Sequence, residues 1–145
     1  MEYEHILVER SGEFATVTMN RPQRRNALSL QHMRELIAAF GEIGDSDAIG
    51  IVLAGNGPVF SAGHDFADVV DGDLAAVRSL LQTCTELMDL IQHVPQPVVA
   101  RVHGLATAAG CQLVATCDLA VASENAASPP RAARAAGSAT RRWWR

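Results

Sequence analysis

Hydrophobic and polar positions alternate with a period of two near the start of the chain, which is the pattern of β-strands. The alternation runs through residues 6–9 and Phe14–Met19, on either side of a turn at residues 11–12. Pro22 comes three residues after the second stretch, and a proline cannot donate a hydrogen bond to a strand ladder. The pattern therefore predicts a β-hairpin that ends before Pro22.

Two later stretches repeat apolar residues every three or four positions, as the buried face of a helix does. Ser29 is a typical N-cap for the first stretch, and Pro95 and Pro97 end the second, which spans Leu74–His93. The apolar face of the first predicted helix carries Leu30, Met33, Leu36, Ile37, Phe40 and Ile43. Both helices can therefore cover one face of a sheet.

Short apolar stretches between turn residues predict buried strands at residues 50–54, Val98–Val102 and Leu119–Ala122. A third helix is predicted over residues 106–116, and a loop over residues 56–64. Strands and helices alternate along the chain, which favours parallel β–α units. We therefore predict the α/β fold class.

The most informative segment is 102–123, because its centre consists almost entirely of small residues. Residues 105–110 read Leu-Ala-Thr-Ala-Ala-Gly, which offers little side-chain chemistry but lets a ligand approach the backbone at a helix N-terminus. A second segment, Phe-Ser-Ala-Gly-His-Asp, lies upstream at residues 60–65. Together the two segments predict a pair of backbone N–H donors that converge on one oxygen, as in an oxyanion hole.

Composition and length indicate one globular domain. The chain has 145 residues, of which 48% are hydrophobic and 19% charged. No apolar run approaches the length that crosses a membrane, and the acidic first residues fit neither a secretory signal nor a transit peptide. Cys84, Cys111 and Cys117 lack metal-ligand spacing, so we expect reduced thiols in a cytoplasmic protein.

The distribution of charged residues changes near the C-terminal end of the chain. All 16 acidic residues lie at or before Glu124, whereas arginines continue after Ser128 and the sequence ends in Trp-Trp-Arg. Residues 128–145 also lack apolar periodicity, so we expect one domain over residues 1–127 and an aberrant, basic, disordered tail over 128–145. Arginine and tryptophan together can stack on nucleic acid, but we interpret this composition as accidental and expect neither a nucleic-acid nor a membrane partner.

Three segments, in order, resemble the enoyl-CoA hydratase/isomerase (crotonase) superfamily. They are TVTMNRP followed by NAL within residues 16–28, IVLAGNGPVFSAGHD at 51–65 and PVVARVHGLATAAGCQLVATCDLAVAS at 97–123. The segments GHD and ATAAGCQL are similar to the branch called enoyl-CoA hydratase domain-containing protein 3. The resemblance implies a crotonase-like ββα spiral, here incomplete at the C-terminus, and a family that assembles into homotrimers or hexamers.

The resemblance also implies a function, namely binding of acyl-CoA thioesters and stabilisation of a thioester enolate, nominally for hydration of trans-2-enoyl-CoA in fatty-acid metabolism. By motif match, the two oxyanion donors are the backbone N–H groups of His64 and Ala109. The expected substrate-binding residues are Arg25, Ala27, Leu28, Ala62, Gly63, Asp65 and Gly110. Coenzyme A is part of the substrate, and neither a further cofactor nor a metal is expected.

The chain departs from the family at two glutamates that serve as acid and base in its hydratases. Gln112 stands at the first position, and an amide cannot exchange a proton at pH 7; the second position falls near Ala132. GC-rich codons for residues 127–145, read in another frame, give FATPGGPGGWFCHTPMVA, which resembles the family's continuation, so we expect the tail to be a frameshift product. Two functions stay open: an enzyme of this family, and a catalytically inactive relic or acyl-CoA-binding pseudoenzyme.

Several polar side chains near these motifs have a structural alternative. The imidazole of His64 is interpreted as a loop side chain, so that only its backbone takes part in the site. A loop or helix-capping role is favoured over that of a base for Asp65, and local packing is favoured for His103. Cys111 is interpreted as a small buried residue. Gln112 is either a water or substrate contact or a structural helix residue.

Overall fold

The computed structural model of the protein describes residues 2–65, 67, 73–124 and 126. The tail predicted at residues 128–145 and the second glutamate position near Ala132 lie outside this part of the chain. In chain order the described elements are β1 Ile6–Ser11, β2 Phe14–Met19, a short 3₁₀ turn Pro22–Arg24, α1 Leu30–Gly44, β3 Gly50–Gly55, β4 Val59–Ser61, α2 Leu74–His93, β5 Val98–Val102, β6 Leu105–Ala106, α3 Ala109–Thr116 and β7 Leu119–Ala122.

Within the described residues, one sheet has the strand order β1-β2-β3-β5-β7, and β4 and β6 form a separate pair. β1 and β2 are antiparallel and are joined through Gly12, whose φ of 60° suits a residue without a side chain. The other pairings in the large sheet are parallel, and α1 and α2 supply crossovers between its strands. The structure thus confirms the predicted α/β class and its parallel β–α units.

The two long helices occupy the predicted stretches, and side chains cap their first turns. The hydroxyl of Ser29 accepts a hydrogen bond from the N–H of His32 at 3.2 Å, and the carboxylate of Asp73 accepts one from the N–H of Ala76 at 3.0 Å. The apolar face of α1 then packs into the core, where Phe40 is fully buried. This packing fixes the start of α1, which lies beside the candidate site.

Two sequence predictions near the small-residue segments are wrong. The helix predicted over residues 106–116 begins only at Ala109, because Leu105–Ala106 forms β6 and Ala108 has a φ of 48°, which a right-handed helix does not allow. The loop predicted over residues 56–64 contains β4. Both strands are too short to show alternation and form by pairing with each other.

The far edge of the large sheet is β7, and its four residues are all exposed. Leu119 and Val121 keep 65% and 63% of their surface accessible. None of the helices in the described ranges is both long enough and apolar enough to cross a membrane.

Candidate functional site

The parallel pair β4–β6 sets the geometry of the two small-residue segments. Ser61 is paired with Ala106, and the chain leaves both strands in the same direction. The N–H of Thr107 donates to the carbonyl of Ser61 at 3.0 Å, which extends the pairing beyond the strands. His64 lies three residues after Ser61, and Ala109 lies three residues after Ala106. The two predicted donors therefore occupy equivalent places on neighbouring segments.

Glycines let the two segments come into contact. Gly63 has a φ of 90°, and a Cβ added to it would lie 2.8 Å from the Cβ of Ala108 and 3.2 Å from the nitrogen of Ala109. A Cβ added to Gly110 would lie 2.5 Å from the carbonyl oxygen of Ser61. Any larger residue at either glycine would push the loop that carries His64 away from the start of α3.

The backbone N–H groups of His64 and Ala109 make no hydrogen bond to another residue in the part of the chain that the structure describes. Ala109 is the first residue of α3, where N–H groups have no partner within the helix. Ala108, the residue before it, has φ 48° and ψ −126°, a conformation that costs a non-glycine residue about 1–3 kcal/mol. This strained corner sets the direction of the Ala109 N–H.

A third segment lies against the loop that carries His64. The N–H of Leu28 donates to the carbonyl of Gly63 at 2.7 Å, and the N–H of Asp65 donates to the carbonyl of Leu28 at 3.0 Å. The N–H of Ala62 donates to the carbonyl of Arg25 at 3.0 Å. Residues 25–28 therefore run alongside residues 62–65.

Asn26 anchors this third segment, although it is not among the predicted site residues. It is fully buried and has a φ of 49°, in the left-handed region that asparagine tolerates better than most residues. Its amide oxygen accepts from the N–H of Arg21 at 2.9 Å, and its amide nitrogen donates to the carbonyls of Asn56 at 2.8 Å and Val59 at 2.9 Å. Its own carbonyl accepts from the hydroxyl of Ser61 at 2.9 Å. Asn26 therefore joins the turn after β2 to β4.

Asp65 is held by two arginines. Its carboxylate lies 2.8 Å from a guanidinium nitrogen of Arg24 and 3.3 Å from one of Arg21, and it accepts a hydrogen bond from the N–H of Ala67 at 3.2 Å. Burial alone would raise the pKa of Asp65, but its hydrogen bond to Arg24 and these neighbouring charges outweigh burial and hold the pKa below its usual range. The arrangement favours the structural interpretation of Asp65 over the role of a base.

A cavity of about 450 Å³ opens beside these segments. Its walls are formed by Gln23, Arg24, Arg25, Ala27, Ala62, His64, Asp65 and Ala67. Five predicted site residues thus share one cavity, and the predicted residues Leu28 and Gly63 are buried and paired behind its wall. Their roles as substrate contacts remain predictions.

The remaining predicted residues lie on α3. Ala109 and Gly110 are buried at its start, whereas Gln112 is exposed and does not line the cavity. The imidazole of His64 lines the cavity, and its Nδ1 is buried without a hydrogen-bond partner among the described residues. His103 does not line the cavity, and its Nε2 donates to the carbonyl of Gly57 at 2.6 Å.

Sequence reasoning missed the roles of Arg21 and Asn26. No role was predicted for Arg21, yet its guanidinium pairs with Asp65 and donates to the carbonyl of Ala27 at 2.9 Å. Asparagine by itself is a weak signal for the left-handed region, and the three side-chain partners of Asn26 are as many as 33 positions away in the chain. Such distant pairing leaves no local pattern.

One group of candidate metal ligands, Glu4, His5 and Glu35, lies elsewhere, with ligand atoms within 4.8 Å of one another. The carboxylate of Glu35 already accepts hydrogen bonds from the N–H of His5 at 2.7 Å and from the side chain of Gln31 at 3.0 Å. We therefore interpret Glu35 as an anchor for the start of β1.

We predict that Asn26→Ala lowers the free energy of unfolding by at least about 3 kcal/mol, because a buried group left without its partner costs about 1–3 kcal/mol and three partners are lost. Asn56→Ala is the matched control. Its side chain is exposed and, among the residues that the structure describes, bonds only to Asn20 at 3.0 Å, so a loss below about 1 kcal/mol is expected. Urea unfolding measures both values, and equal losses would contradict the anchoring role.

The lowered pKa of Asp65 predicts a stability change with pH. A carboxyl whose pKa is depressed by folding stabilises the protein above its unfolded pKa of 3.8, and this contribution is lost as the pH falls through the folded value. Asp65→Asn should therefore be less stable than the wild type at about pH 6, and the difference should narrow below pH 3.8. Asp47→Asn, at an ion pair whose aspartate side chain is 93% exposed, should show little difference at either pH. A pH-independent difference for Asp65→Asn would contradict the assignment.

Comparison with known proteins places this geometry in a family. The sequence profile of the family described as enoyl-CoA hydratase/isomerase matches residues 9–134. The mitochondrial enoyl-CoA hydratase domain-containing protein 3 of Danio rerio is 45% identical over 120 residues, which are 81% of this chain and 42% of that protein. The short-chain-enoyl-CoA hydratase of Clostridium acetobutylicum is 32% identical over 128 residues, which are 87% of this chain and 49% of that protein.

Solved structures give the same result. An enoyl-CoA hydratase from Mycobacterium smegmatis superposes with a TM-score of 0.85 at 40% identity, over 96% of this chain and 58% of that one. Human enoyl-CoA hydratase domain-containing protein 3 superposes with a TM-score of 0.84 at 35% identity, over the same shares. The chain spans about half the length of the curated relatives it matches. The predicted resemblance and the crotonase-like fold are confirmed, and the chain belongs to the enoyl-CoA hydratase/isomerase family.

Proposed function

We propose that this chain binds acyl-CoA thioesters and stabilises a thioester enolate with the backbone N–H groups of His64 and Ala109. One observation carries the proposal: the two N–H groups lie three residues past paired positions of β4 and β6, and neither donates to another described residue. The contact of Gly63 with Ala108 and Ala109 keeps the two segments together.

The chemistry follows from where charge develops. When the α-carbon of a thioester loses a proton, or the β-carbon of a trans-2-enoyl thioester gains a nucleophile across its double bond, negative charge moves onto the thioester oxygen. Two preorganised donors at that oxygen each contribute about 3 kcal/mol, by analogy with donors of other oxyanion holes. Ala109 also stands at the N-terminus of α3, where the helix dipole favours negative charge.

The coenzyme A part of the ligand would lie along residues 25–28. The cavity beside this segment contains Arg24 and Arg25, whose charges suit the phosphates of coenzyme A. Ala27 and Ala62 line the same cavity, and their small side chains leave room for the thioester arm. The glycines at positions 63 and 110 allow the thioester to approach the backbone donors.

Hydration is the nominal reaction, because the Clostridium relative is named as a short-chain-enoyl-CoA hydratase. Hydration adds the hydroxyl of water to the β-carbon and a proton to the α-carbon, so a group must take one proton and give another. Gln112 cannot do either at pH 7. The presence of Gln112 instead of a glutamate therefore favours the second candidate function, a catalytically inactive protein that binds acyl-CoA.

Assembly and location belong to the same proposal. The family that this chain resembles assembles into homotrimers or hexamers, and we expect a cytoplasmic location for this chain. The vertebrate relatives are named as mitochondrial proteins, so the location of this chain remains a prediction.

The donor assignment predicts the outcome of replacing Ala109. Ala109→Pro removes one N–H, and proline is tolerated at the first position of a helix. Acetoacetyl-CoA reports the effect directly, because its enolate absorbs ultraviolet light. We expect the wild type and the control Ala109→Gly, which keeps the N–H, to raise the enolate fraction, and Ala109→Pro to stabilise the enolate about 10²-fold less. An unchanged spectrum in Ala109→Pro, with circular dichroism showing a folded protein, would contradict the assignment.

The loss of the first glutamate predicts slow hydration. We expect this chain to hydrate crotonyl-CoA at least about 10²-fold more slowly than the Clostridium relative, because one acid–base group contributes about 10²–10⁴-fold. Gln112→Glu should raise the rate, whereas Gln82→Glu, at an exposed position on α2, should not. A hydration rate equal to that of the relative would show that another group supplies the proton transfer. No gain from Gln112→Glu would favour the inactive, acyl-CoA-binding protein.

A further inference from the structure

A second cavity, of about 460 Å³, lies between the first turns of α1 and α2. Its walls are formed by His5, Arg21, Ser29, Leu30, Gln31, Arg34, Ala76 and Leu80. It shares no wall residue with the first cavity. The two cavities meet at the ion pair of Arg21 with Asp65, because Arg21 lines the second and Asp65 lines the first.

The charged side chains that line the second cavity are cationic. Arg21 and Arg34 contribute guanidinium groups, and no carboxylate belongs to the described lining. Arg21 shares the carboxylate of Asp65 with Arg24. Arg34 has no ion-pair or hydrogen-bond partner for its side chain within the described residues.

Two carboxylates lie beside the wall residue His5, since the ligand atoms of Glu4, His5 and Glu35 are within 4.8 Å of one another. Among the described ion pairs, neither carboxylate pairs with Arg34. Glu35 is 7% exposed, and it accepts hydrogen bonds from the N–H of His5 and the side chain of Gln31. Burial raises the pKa of Glu35, but those hydrogen bonds outweigh burial and lower it. The charge of Glu35 is therefore already met by the N–H of His5 and the side chain of Gln31.

The other part of the wall is apolar. Leu30 and Ala76 line it from α1 and α2, and Leu80 lines it one turn farther along α2. A cationic part beside an apolar part is complementary to a ligand that carries a carboxylate at the end of a short hydrocarbon chain. The volume lies in the usual range for a small-molecule site.

We propose that this second cavity binds a carboxylate carried by a short apolar chain, with the guanidinium of Arg34 as its main charged partner. Two sources supply this chemistry. One is a free carboxylic acid, and the other is the far end of an acyl group whose thioester lies in the first cavity, as a dicarboxylic acyl-CoA would provide. The second source rests on the proposed function, and the first does not.

Calorimetry with matched ligands on the whole chain tests the proposal. Glutaryl-CoA and pentanoyl-CoA have acyl chains of equal length and differ in a terminal carboxylate against a methyl group. Pentanoate and pentanamide lack coenzyme A and differ in a carboxylate against an uncharged amide. The variants are Arg34→Gln and, as a matched control, Arg78→Gln, since Arg78 is an exposed arginine of α2 that does not line the cavity.

We expect Arg34→Gln to weaken binding of the carboxylate ligand by about tenfold, equivalent to about 1.4 kcal/mol. Arg78→Gln should leave that binding unchanged, and pentanamide and pentanoyl-CoA should respond to neither variant. A loss confined to glutaryl-CoA identifies the end of an acyl chain as the ligand, and a loss confined to pentanoate identifies a free acid.

Carboxylate binding that is absent, or that is equal in Arg34→Gln and the wild type, would overturn the proposal. Pentanoyl-CoA separates this result from a failure of the proposed function, because its binding depends only on the first cavity. If pentanoyl-CoA binds and the carboxylate contrast is missing, the carboxylate site is wrong and the thioester site stands. If pentanoyl-CoA does not bind while pentanoate does, the thioester site is wrong and the carboxylate site stands.

Discussion

The side-chain amide of Asn26 is the interaction on which the candidate site depends most. Its three hydrogen bonds and the bond from Ser61 to its carbonyl connect the turn after β2 with the start and end of β4. β4 in turn carries the loop of His64, and residues 25–28 run beside that loop. Because the amide is fully buried, each lost partner would leave a polar group without water or protein to bond.

Close contact between small residues completes the arrangement. Gly63 and Gly110 allow the loop after β4 to touch the start of α3, and the strained corner at Ala108 leads directly into Ala109, the first residue of α3. The ion pairs of Asp65 then fix the far side of the His64 loop. The loop of His64 and the start of α3 are thus held together by packing and hydrogen bonds, which is the preorganisation that the proposed oxyanion hole requires.

The sequence predicted the large elements because their signals are local. The apolar face of α1, its Ser29 cap and the alternation in Phe14–Met19 each occupy one short window, and the structure has them as predicted. The start of α3 was misplaced because β6 consists of two residues and exists only through its pairing with β4.

The candidate site was predictable only in part, for the same reason. Its backbone donors follow from a motif, and the five predicted residues that share the cavity lie in two short segments. The anchoring roles of Arg21 and Asn26 depend on partners far along the chain, and no spacing in the sequence reports them. Likewise, the cationic cavity between α1 and α2 draws its wall from four separate parts of the chain.

The central claim is that the N–H groups of His64 and Ala109 bind the same thioester oxygen. Nuclear magnetic resonance of the ¹⁵N-labelled chain tests it most directly, by titration with butyryl-CoA and with coenzyme A alone. The account predicts that the amide resonances of His64 and Ala109 both shift downfield with butyryl-CoA and do not do so with coenzyme A, whereas those of residues 25–28 shift with both ligands. Saturating butyryl-CoA that leaves either donor resonance in place would contradict the claim.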